Sequence, residues 1–307
     1  VGSVVDIGPG CPTGVIAGIN ANFPTRYRDA IFLCDWTFAT MYAMHLKPDG
    51  SSYKGKVDTF VTNTNGALAL TDVDIGPDGN MYFCVGGRKG QSYLYRVRYV
   101  GNESTELSPL DTTSEHAQAR KTRRMLESFH GAPNSKAIET AWPYLSNKDY
   151  HLRYAARIAI EWQDPKSWAD KAYTESNDVG AIHALLSLAR SDLAGSLQPS
   201  IKRLTKVDFS KLNKQNKLDL LRTYAVIMSR GGKPEADQIA AVGNQLDPHY
   251  PANDDNLNEE LCRVLCYLQH PSVVGKTITL LKNTKAKVPD YDPEMIKRGG
   301  HYGRTIL

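Results

Sequence analysis

Two kinds of hydrophobic pattern divide this chain. Apolar and polar residues alternate through much of its first third, most clearly in SYLYRVRYV at 92–100. In that run three tyrosines and Val97 lie on one face, while Leu94 and two arginines lie on the other. Turn signals such as KPDG and GPDG separate the runs. The pattern predicts β-strands at 13–19, 30–35, 39–46, 53–61, 71–75, 80–85 and 91–100.

Beyond about residue 114 the hydrophobic period changes from two to 3.6 residues. Apolar side chains then recur at three- and four-residue spacing, as in YHLRYAARIAIEW, which is typical of amphipathic helices. Ser114, Asp178 and Asp255 stand where N-caps are expected. The pattern predicts helices at 114–130, 135–147, 150–162, 178–191, 196–207, 216–230, 235–247, 255–269 and 272–284.

The strands fall into two similar groups, the first with four members and the second with three. A four-stranded meander repeated around an axis is a blade of a β-propeller, and a ring needs about four blades or more. Two blades leave sheet edges without hydrogen-bond partners. We therefore expect the chain to be an internal section of a larger protein, with the remaining blades on sequence that is not present.

The helices are short, joined by brief links, and paired at a spacing of about 30–40 residues, which is typical of HEAT-type repeats. The predicted fold class is thus mixed, β then α: C-terminal propeller blades followed by an α-solenoid. The predicted domains are two blades at 1–107, a linker at 108–113, a HEAT-like domain at 114–290, and the start of a connection to a missing downstream domain at 291–307.

Composition narrows the functional classes. Hydrophobic residues make up 41% and charged residues 23% of the chain, as in soluble globular proteins. No apolar run reaches the ~18 residues of a membrane span. The net charge of +4 is too mild to indicate a nucleic-acid partner. The 5 cysteines are an odd number without a CxxC or CxxCH motif, so no zinc site or covalent haem site is predicted.

Two long stretches resemble a known family. NFPTRYRDAIFLCDWTFATMYAMHLKPDG and LTDVDIGPDGNMYFCVGGRKGQSYLYRVRYVG resemble the last blades of large secreted proteins of planctomycetes and their relatives. AWPYLSNKDYHLRYAARIAIEWQ resembles the HEAT segment of the same proteins. In that family a propeller related to quinoprotein sugar dehydrogenases precedes HEAT repeats and a cytochrome c domain with a CxxCH haem site.

The resemblance implies a function and a location. The chain would be a segment of a periplasmic or secreted dehydrogenase that acts on sugars or alcohols. Pyrroloquinoline quinone (PQQ) and calcium would be bound in the intact propeller, and haem c would be carried by the missing downstream domain. The implied partners are the remaining blades, the cytochrome c domain and carbohydrate. The alternative is a non-catalytic propeller and HEAT scaffold that binds a polysaccharide or a partner protein.

The predicted cofactor-binding residues follow the second strand of each group. Asp35 and Trp36 come after the first group's second strand, and Gly86, Gly87 and Arg88 after that of the second group. Arg88 suits an anionic or carbonyl-bearing ligand, and Trp36 could stack on a ring. The resemblance points to Arg88 as the quinone contact. The alternative is that Gly86–Gly87 is only a tight turn and that Trp36 packs between blades. The sequence leaves catalytic residues undefined.

Two further groups have alternative interpretations. Cys34 and Cys84 occupy equivalent positions at the ends of strands, where they are buried thiols or, in an oxidising compartment, a disulfide. The acidic residues of TDVDIGPDG are either calcium ligands or, as we favour, part of an ordinary Asp-Gly turn.

Cys262 and Cys266 lie at i, i+4 on one face of an amphipathic helix. We expect these two thiols to pack in the core.

Overall fold

The computed structural model describes residues 3–63, 68–87, 90–284, 293 and 295–297. The chain divides into two compact units, Val1–Gln118 with Lys287–Leu307, and Ala119–Ala286. The linker predicted at 108–113 ends shortly before that division. The connection predicted at 291–307 lies almost wholly outside the described residues.

Seven strands form two antiparallel sheets in the first unit, as the alternating pattern predicts. The first sheet has the order β1-β2-β3-β4 and the second β5-β6-β7. Among the described residues these sheets close into neither a barrel nor a propeller ring. The strands are β1 (Pro12–Ala17), β2 (Ala30–Asp35), β3 (Thr40–Asp49), β4 (Ser52–Thr62), β5 (Leu70–Ile75), β6 (Met81–Val85) and β7 (Tyr93–Val97).

The two sheets share one apolar core. Phe32 and Met41 from the first sheet and Leu70 and Met81 from the second are each fully buried within it. Strand β1 packs beside β5, and Gly14 permits the close approach, because a Cβ there would lie 2.9 Å from the Cα of Asp72. The two predicted strand groups are therefore packed against each other and are not independent modules.

The last strand of the second sheet is an edge with exposed apolar side chains. Tyr93, Leu94 and Tyr95 are 53%, 67% and 41% exposed. The ring of Tyr95 stacks on Phe83 of β6 at a centroid distance of 5.1 Å, while Val97 packs against the sheet core. Strand β7 thus has one partner, β6, among the described residues.

Helices make up the second unit, and their apolar faces meet in one continuous core. Trp168, Ile182, Leu185 and Tyr224 are fully buried in it. Within the described residues up to 284, the α-helices are α1 (Thr25–Arg28), α2 (Glu115–Glu127), α3 (Ala137–Ala141), α4 (Tyr150–Glu161), α5 (Ala169–Thr174), α6 (Asp178–Arg190), α7 (Leu197–Leu204), α8 (Lys214–Gly231), α9 (Ala236–Leu246), α10 (Asp255–Tyr267) and α11 (Val273–Asn283).

Four of these helices form a row. Helix α4 packs on α6, α6 on α8, and α8 on α10, so that every second helix along the chain belongs to the row. Side chains at corresponding levels of successive helices therefore come close together. This packing creates the cleft described below.

Candidate functional site

Several residues predicted to bind a cofactor make contacts within the protein instead. Asp35 at the end of β2 is fully buried. Its Oδ1 accepts hydrogen bonds from the backbone N–H groups of Cys11 at 3.0 Å and Thr37 at 2.9 Å. Its other oxygen, Oδ2, is buried without a hydrogen-bond partner among the described residues, and a Cβ on Gly10 would lie 2.4 Å from it. Asp35 thus stabilises a turn through Oδ1, and its role in binding a cofactor stays a prediction.

Trp36 links the two strand-end loops. Its indole Nε1–H donates to the carbonyl oxygen of Gly86 at 3.0 Å, and a Cβ at Gly87 would lie 3.8 Å from the indole ring. The structure therefore brings Trp36, Gly86 and Gly87 together. Their mutual contacts favour the interpretation of Trp36 as a packing aromatic. Arg88 lies outside the described residues, and its role as a quinone contact stays a prediction.

The two strand-end cysteines differ in their surroundings. Both are free thiols; Cys34 is buried and Cys84 is exposed. Burial, with the nearby Asp72 charge, raises the pKa of Cys34 to about 11. The expectation that the two are equivalent is wrong, because Cys34 points into the sheet core and Cys84 away from it.

The acidic group around GPDG forms a turn. Asp78 accepts hydrogen bonds from the side chain of Asn80 at 2.6 Å and from the Tyr82 hydroxyl at 2.8 Å. These bonds lower the pKa of Asp78, with the Asn80 side chain the larger cause. Gly79 follows at a φ of 74°, which suits glycine. In the described part of the chain, no three His, Cys, Asp or Glu side chains are grouped so as to hold a metal ion.

A cleft lies between helices α4, α6 and α8. Its volume is about 250 Å³, and four arginines lie in its wall. None of the residues in its wall belongs to a sequence motif that predicts a site. The lining side chains are Tyr150, Arg153, Tyr154, Arg157, His183, Leu186, Arg190, Asp219, Arg222 and Val226.

Helix α4 supplies one wall of the cleft, built from alternating rings and guanidinium groups. Asp149 caps the helix by accepting from the His151 N–H at 2.8 Å. One turn apart, Arg153 lies over the Tyr150 ring at 5.8 Å and Arg157 over the Tyr154 ring at 5.0 Å. Such cation–π contacts hold a guanidinium without neutralising its charge.

Arg153 is held rigidly at the base of the cleft. It is only 6% exposed, and its Nη1 donates to the carbonyl of Asn147 at 2.7 Å and of Lys148 at 3.1 Å. Its Nη2 lies 3.8 Å from Oδ2 of Asp219, an ion pair too long for a hydrogen bond. Its Nε has no hydrogen-bond partner among the residues that the structure describes. One donor of this buried guanidinium therefore has no acceptor in the described part of the chain.

Helix α6 places His183, and helix α8 places Asp219, opposite Arg153. His183 Nε2 lies 3.4 Å from Oδ2 of Asp219, and Gln215 donates to the other Asp219 oxygen at 3.0 Å. Burial raises the pKa of Asp219, but His183, Gln215 and Arg153 together outweigh it and lower the pKa below its usual value. Asp219 is thus a stable carboxylate at neutral pH.

A second acid neutralises part of the cleft's charge. Glu161 forms an ion pair with Arg157, and both of its oxygens accept from Nε of Arg190 at 3.1 and 3.0 Å. Arg222 is exposed on α8 and has no ion-pair partner among the described residues. Four arginines against Asp219 and Glu161 leave two positive charges on the cleft, one of them on Arg222.

These features define the chemistry the cleft can perform. Planar guanidinium groups bind carboxylates and phosphates through paired hydrogen bonds, and tyrosine rings add apolar contact. The cavity is slightly smaller than the roughly 300–1,000 Å³ usual for small-molecule sites. It therefore suits an anionic side chain or a short anionic group better than a whole cofactor.

A sequence signal for this cleft did exist. Arginines or tyrosines recur on the α4 face at 150, 153, 154 and 157, and polar residues follow on α6 at 183 and 190 and on α8 at 219 and 222. Each set keeps helical spacing next to an apolar face. The signal identifies one face of each helix but gives no indication that the three faces meet.

Comparisons with known proteins add no assignment. No protein-family model matches the chain, and no curated protein or solved structure matches it.

Proposed function

We propose that the helical unit is a non-catalytic binding module whose cleft captures a carboxylate side chain from an acidic segment of a partner protein. The observation that carries this proposal is the net positive cleft between α4, α6 and α8, with Arg222 exposed at its edge and without an ion-pair partner in the described part of the chain. An incoming carboxylate would pair with Arg222, with the buried Arg153 adding positive charge beneath it. This is the scaffold function considered in the sequence analysis, assigned to one surface.

A protein partner is favoured over a polysaccharide by the composition of the site. Arginine and tyrosine are the residues that carry most of the binding energy in protein interfaces. The small cavity accommodates one side chain, whereas an acidic polysaccharide would need a long continuous cationic track. A HEAT-type stack of helices would offer an extended surface on either side of the cleft.

The test is the binding of a fluorescein-labelled hexaglutamate peptide, measured by anisotropy at low salt. Arg222→Ala should weaken binding about tenfold, roughly 1.4 kcal/mol, while the fold stays intact because the side chain is exposed. Arg263→Ala is the matched control: Arg263 is an exposed arginine on α10 outside the cleft. Equal losses in the two variants would contradict the proposal.

A polyanionic sugar distinguishes the alternative. If unlabelled polygalacturonate displaces the peptide far better than hexaglutamate does, per carboxylate, then the cleft is a polysaccharide site. Binding should weaken as salt is raised, because exposed charges are screened.

The dehydrogenase role implied by the resemblance is a second proposal, for the β unit. Its support is the resemblance itself, together with the proximity of the two strand-end loops that the resemblance assigns to one pocket. The test is reduction of an artificial electron acceptor by sugars, with PQQ and Ca²⁺ added, in a longer form that contains the predicted upstream blades. Loss of quinone-dependent reduction in Arg88→Ala would support it, and no quinone dependence at all would refute it.

A further inference from the structure

Two cysteines on helix α10 form a pair that the proposed function does not use. Cys262 and Cys266 lie one helical turn apart, and their Sγ atoms are 3.9 Å from each other. Cys262 is partly buried against the helical core, and Cys266 is exposed. Core packing, which the sequence analysis expected for both, therefore explains Cys262 only. The second thiol faces solvent beside the first.

Hydroxyl groups surround the inner thiol. The Thr277 hydroxyl on α11 lies 3.6 Å from Sγ of Cys262 and 2.7 Å from the Tyr250 hydroxyl. The Thr277 hydroxyl donates its own hydrogen to the carbonyl oxygen of Val273 at 2.7 Å. The inner thiol thus has a polar side chain beside it.

We propose that Cys262 and Cys266 form a binding site for a soft monovalent cation, Cu(I) in the first place, held by two thiolates. Thiolate–metal bonds of about 2.3 Å span at most ~4.6 Å between two sulfurs. The observed separation of 3.9 Å has to open by roughly 0.7 Å for a linear arrangement. Rotation of the exposed Cys266 side chain supplies that change without moving the helix.

The ligand set selects the ion. Structural zinc takes four protein ligands, and the described residues place no third His, Cys, Asp or Glu in a group with these sulfurs. Soft sulfur ligands select Cu(I), which accepts two-fold coordination. Binding replaces two S–H bonds with two S–Cu bonds, releases two protons to solvent, and changes no oxidation state. This site is independent of the arginine cleft in both position and chemistry.

The experiment is an anaerobic titration of the reduced full chain with Cu(I) against bathocuproine disulfonate, a coloured Cu(I) chelator. The chain should withhold one equivalent of Cu(I) from the chelator and release two protons. Cys266→Ser changes one exposed atom and should abolish this retention. The control is Cys11→Ser with Cys84→Ser, which removes two exposed thiols of the first unit and should retain the full equivalent.

Each outcome decides the proposal. Retention that survives in Cys266→Ser, or that disappears in the Cys11 and Cys84 control, assigns the ion to other thiols and overturns it. Zn²⁺ retained as tightly as Cu(I) would overturn the selection for a soft cation. Circular dichroism of Cys266→Ser shows that any loss is not caused by unfolding.

Discussion

At the scale of single residues, burial decides which thiols can react. Cys34 is enclosed by the core of the first unit, and its pKa of about 11 keeps it protonated at pH 8. Cys11, Cys84 and Cys266 are exposed. Since the thiolate is the reactive form, iodoacetamide at pH 8 should modify Cys11 and Cys84 rapidly. Cys266 should react more slowly, because burial and the neighbouring Cys262 raise its pKa, and Cys34 should stay intact until the protein is unfolded. Peptide mass spectrometry measures the modification of each cysteine. Rapid labelling of Cys34 in the native protein would contradict its burial in the core.

Asp219 makes stability depend on pH. Its folded-state pKa is lowered, so it stabilises the fold above its unfolded pKa of about 3.9, and that stability is lost as pH falls through the folded value. Asp219→Asn should destabilise the helical unit by about 1–3 kcal/mol at pH 7. The difference from the parent should shrink as pH falls from 5 to 3.

Urea unfolding at several pH values measures this difference. Asp192→Asn is a suitable control, because Asp192 is an exposed acid paired only with the partly exposed Arg230. An Asp219→Asn deficit that stays constant down to pH 3 would show that the carboxylate charge has no part in it.

Predictions for single residues were wrong where a shift of one position along the chain changes which residue faces the core or caps a helix. Cys34 and Cys84 match in the sequence pattern, yet a one-residue difference in register moves a side chain to the opposite face of a sheet. The N-caps behave similarly: Asn177 and Asp254, each one residue before the expected position, accept the capping bonds at 3.0 and 3.1 Å. Periodicity locates an element well and its end residues less well.

At the scale of elements, two glycines in helices give a matched test of packing. A Cβ on Gly243 of α9 would lie 2.7 Å from Cδ2 of His270, whereas a Cβ on Gly275 of α11 would meet nothing within 4 Å. Gly275→Ala should stabilise the helical unit by about 0.5–1 kcal/mol through helix propensity alone. Gly243→Ala should destabilise it by about 1 kcal/mol or more, since overpacking costs about 1–3 kcal/mol.

Thermal or urea unfolding of the two variants provides the comparison. Stabilisation by both substitutions would mean that the α9 surface is not packed against His270.

Elements were predictable where the pattern was long and regular. All seven strands and the long helices stand within a few residues of their predicted bounds. The helix predicted at 135–147 is instead a short α-helix followed by a 3₁₀ helix at Trp142–Ser146. Pro143 explains the change, because it lacks the N–H that a continuing α-helix needs. Helices α1 and α5 were missed, since 4 and 6 residues are too few to show a helical period.

At the scale of the whole molecule, the edge of the second sheet predicts association. Strand β7 exposes Tyr93, Leu94 and Tyr95, and an apolar edge strand is a template for further pairing. The full chain should therefore self-associate with rising concentration in sedimentation velocity, and Leu94→Lys should reduce this. Leu110→Lys is the control, because Leu110 is 91% exposed and belongs to no strand.

A chain that stays monomeric at all concentrations would contradict the prediction that the β7 edge drives association. Association equally reduced by both lysine variants would reflect added charge and not the strand edge.

The sequence pattern predicted the order of the elements but not how they pack against one another. The order β then α follows from the change of hydrophobic period, but closure into blades or a solenoid depends on neighbours that a pattern does not specify. The cleft is the clearest example. Arg153, His183 and Asp219 are about 30 residues apart along the chain, and only the packing of α4, α6 and α8 brings them within ion-pair distance.

The most direct test of the binding module is a two-dimensional NMR spectrum of the arginine Nε–Hε groups, recorded while unlabelled hexaglutamate is added. Single arginine variants provide the assignments. The Arg222 and Arg153 signals should shift in step and saturate together, while Arg263 on α10 stays in place. Shifts spread equally over exposed arginines, or an unmoved Arg222, would contradict the assignment of the cleft as a carboxylate site.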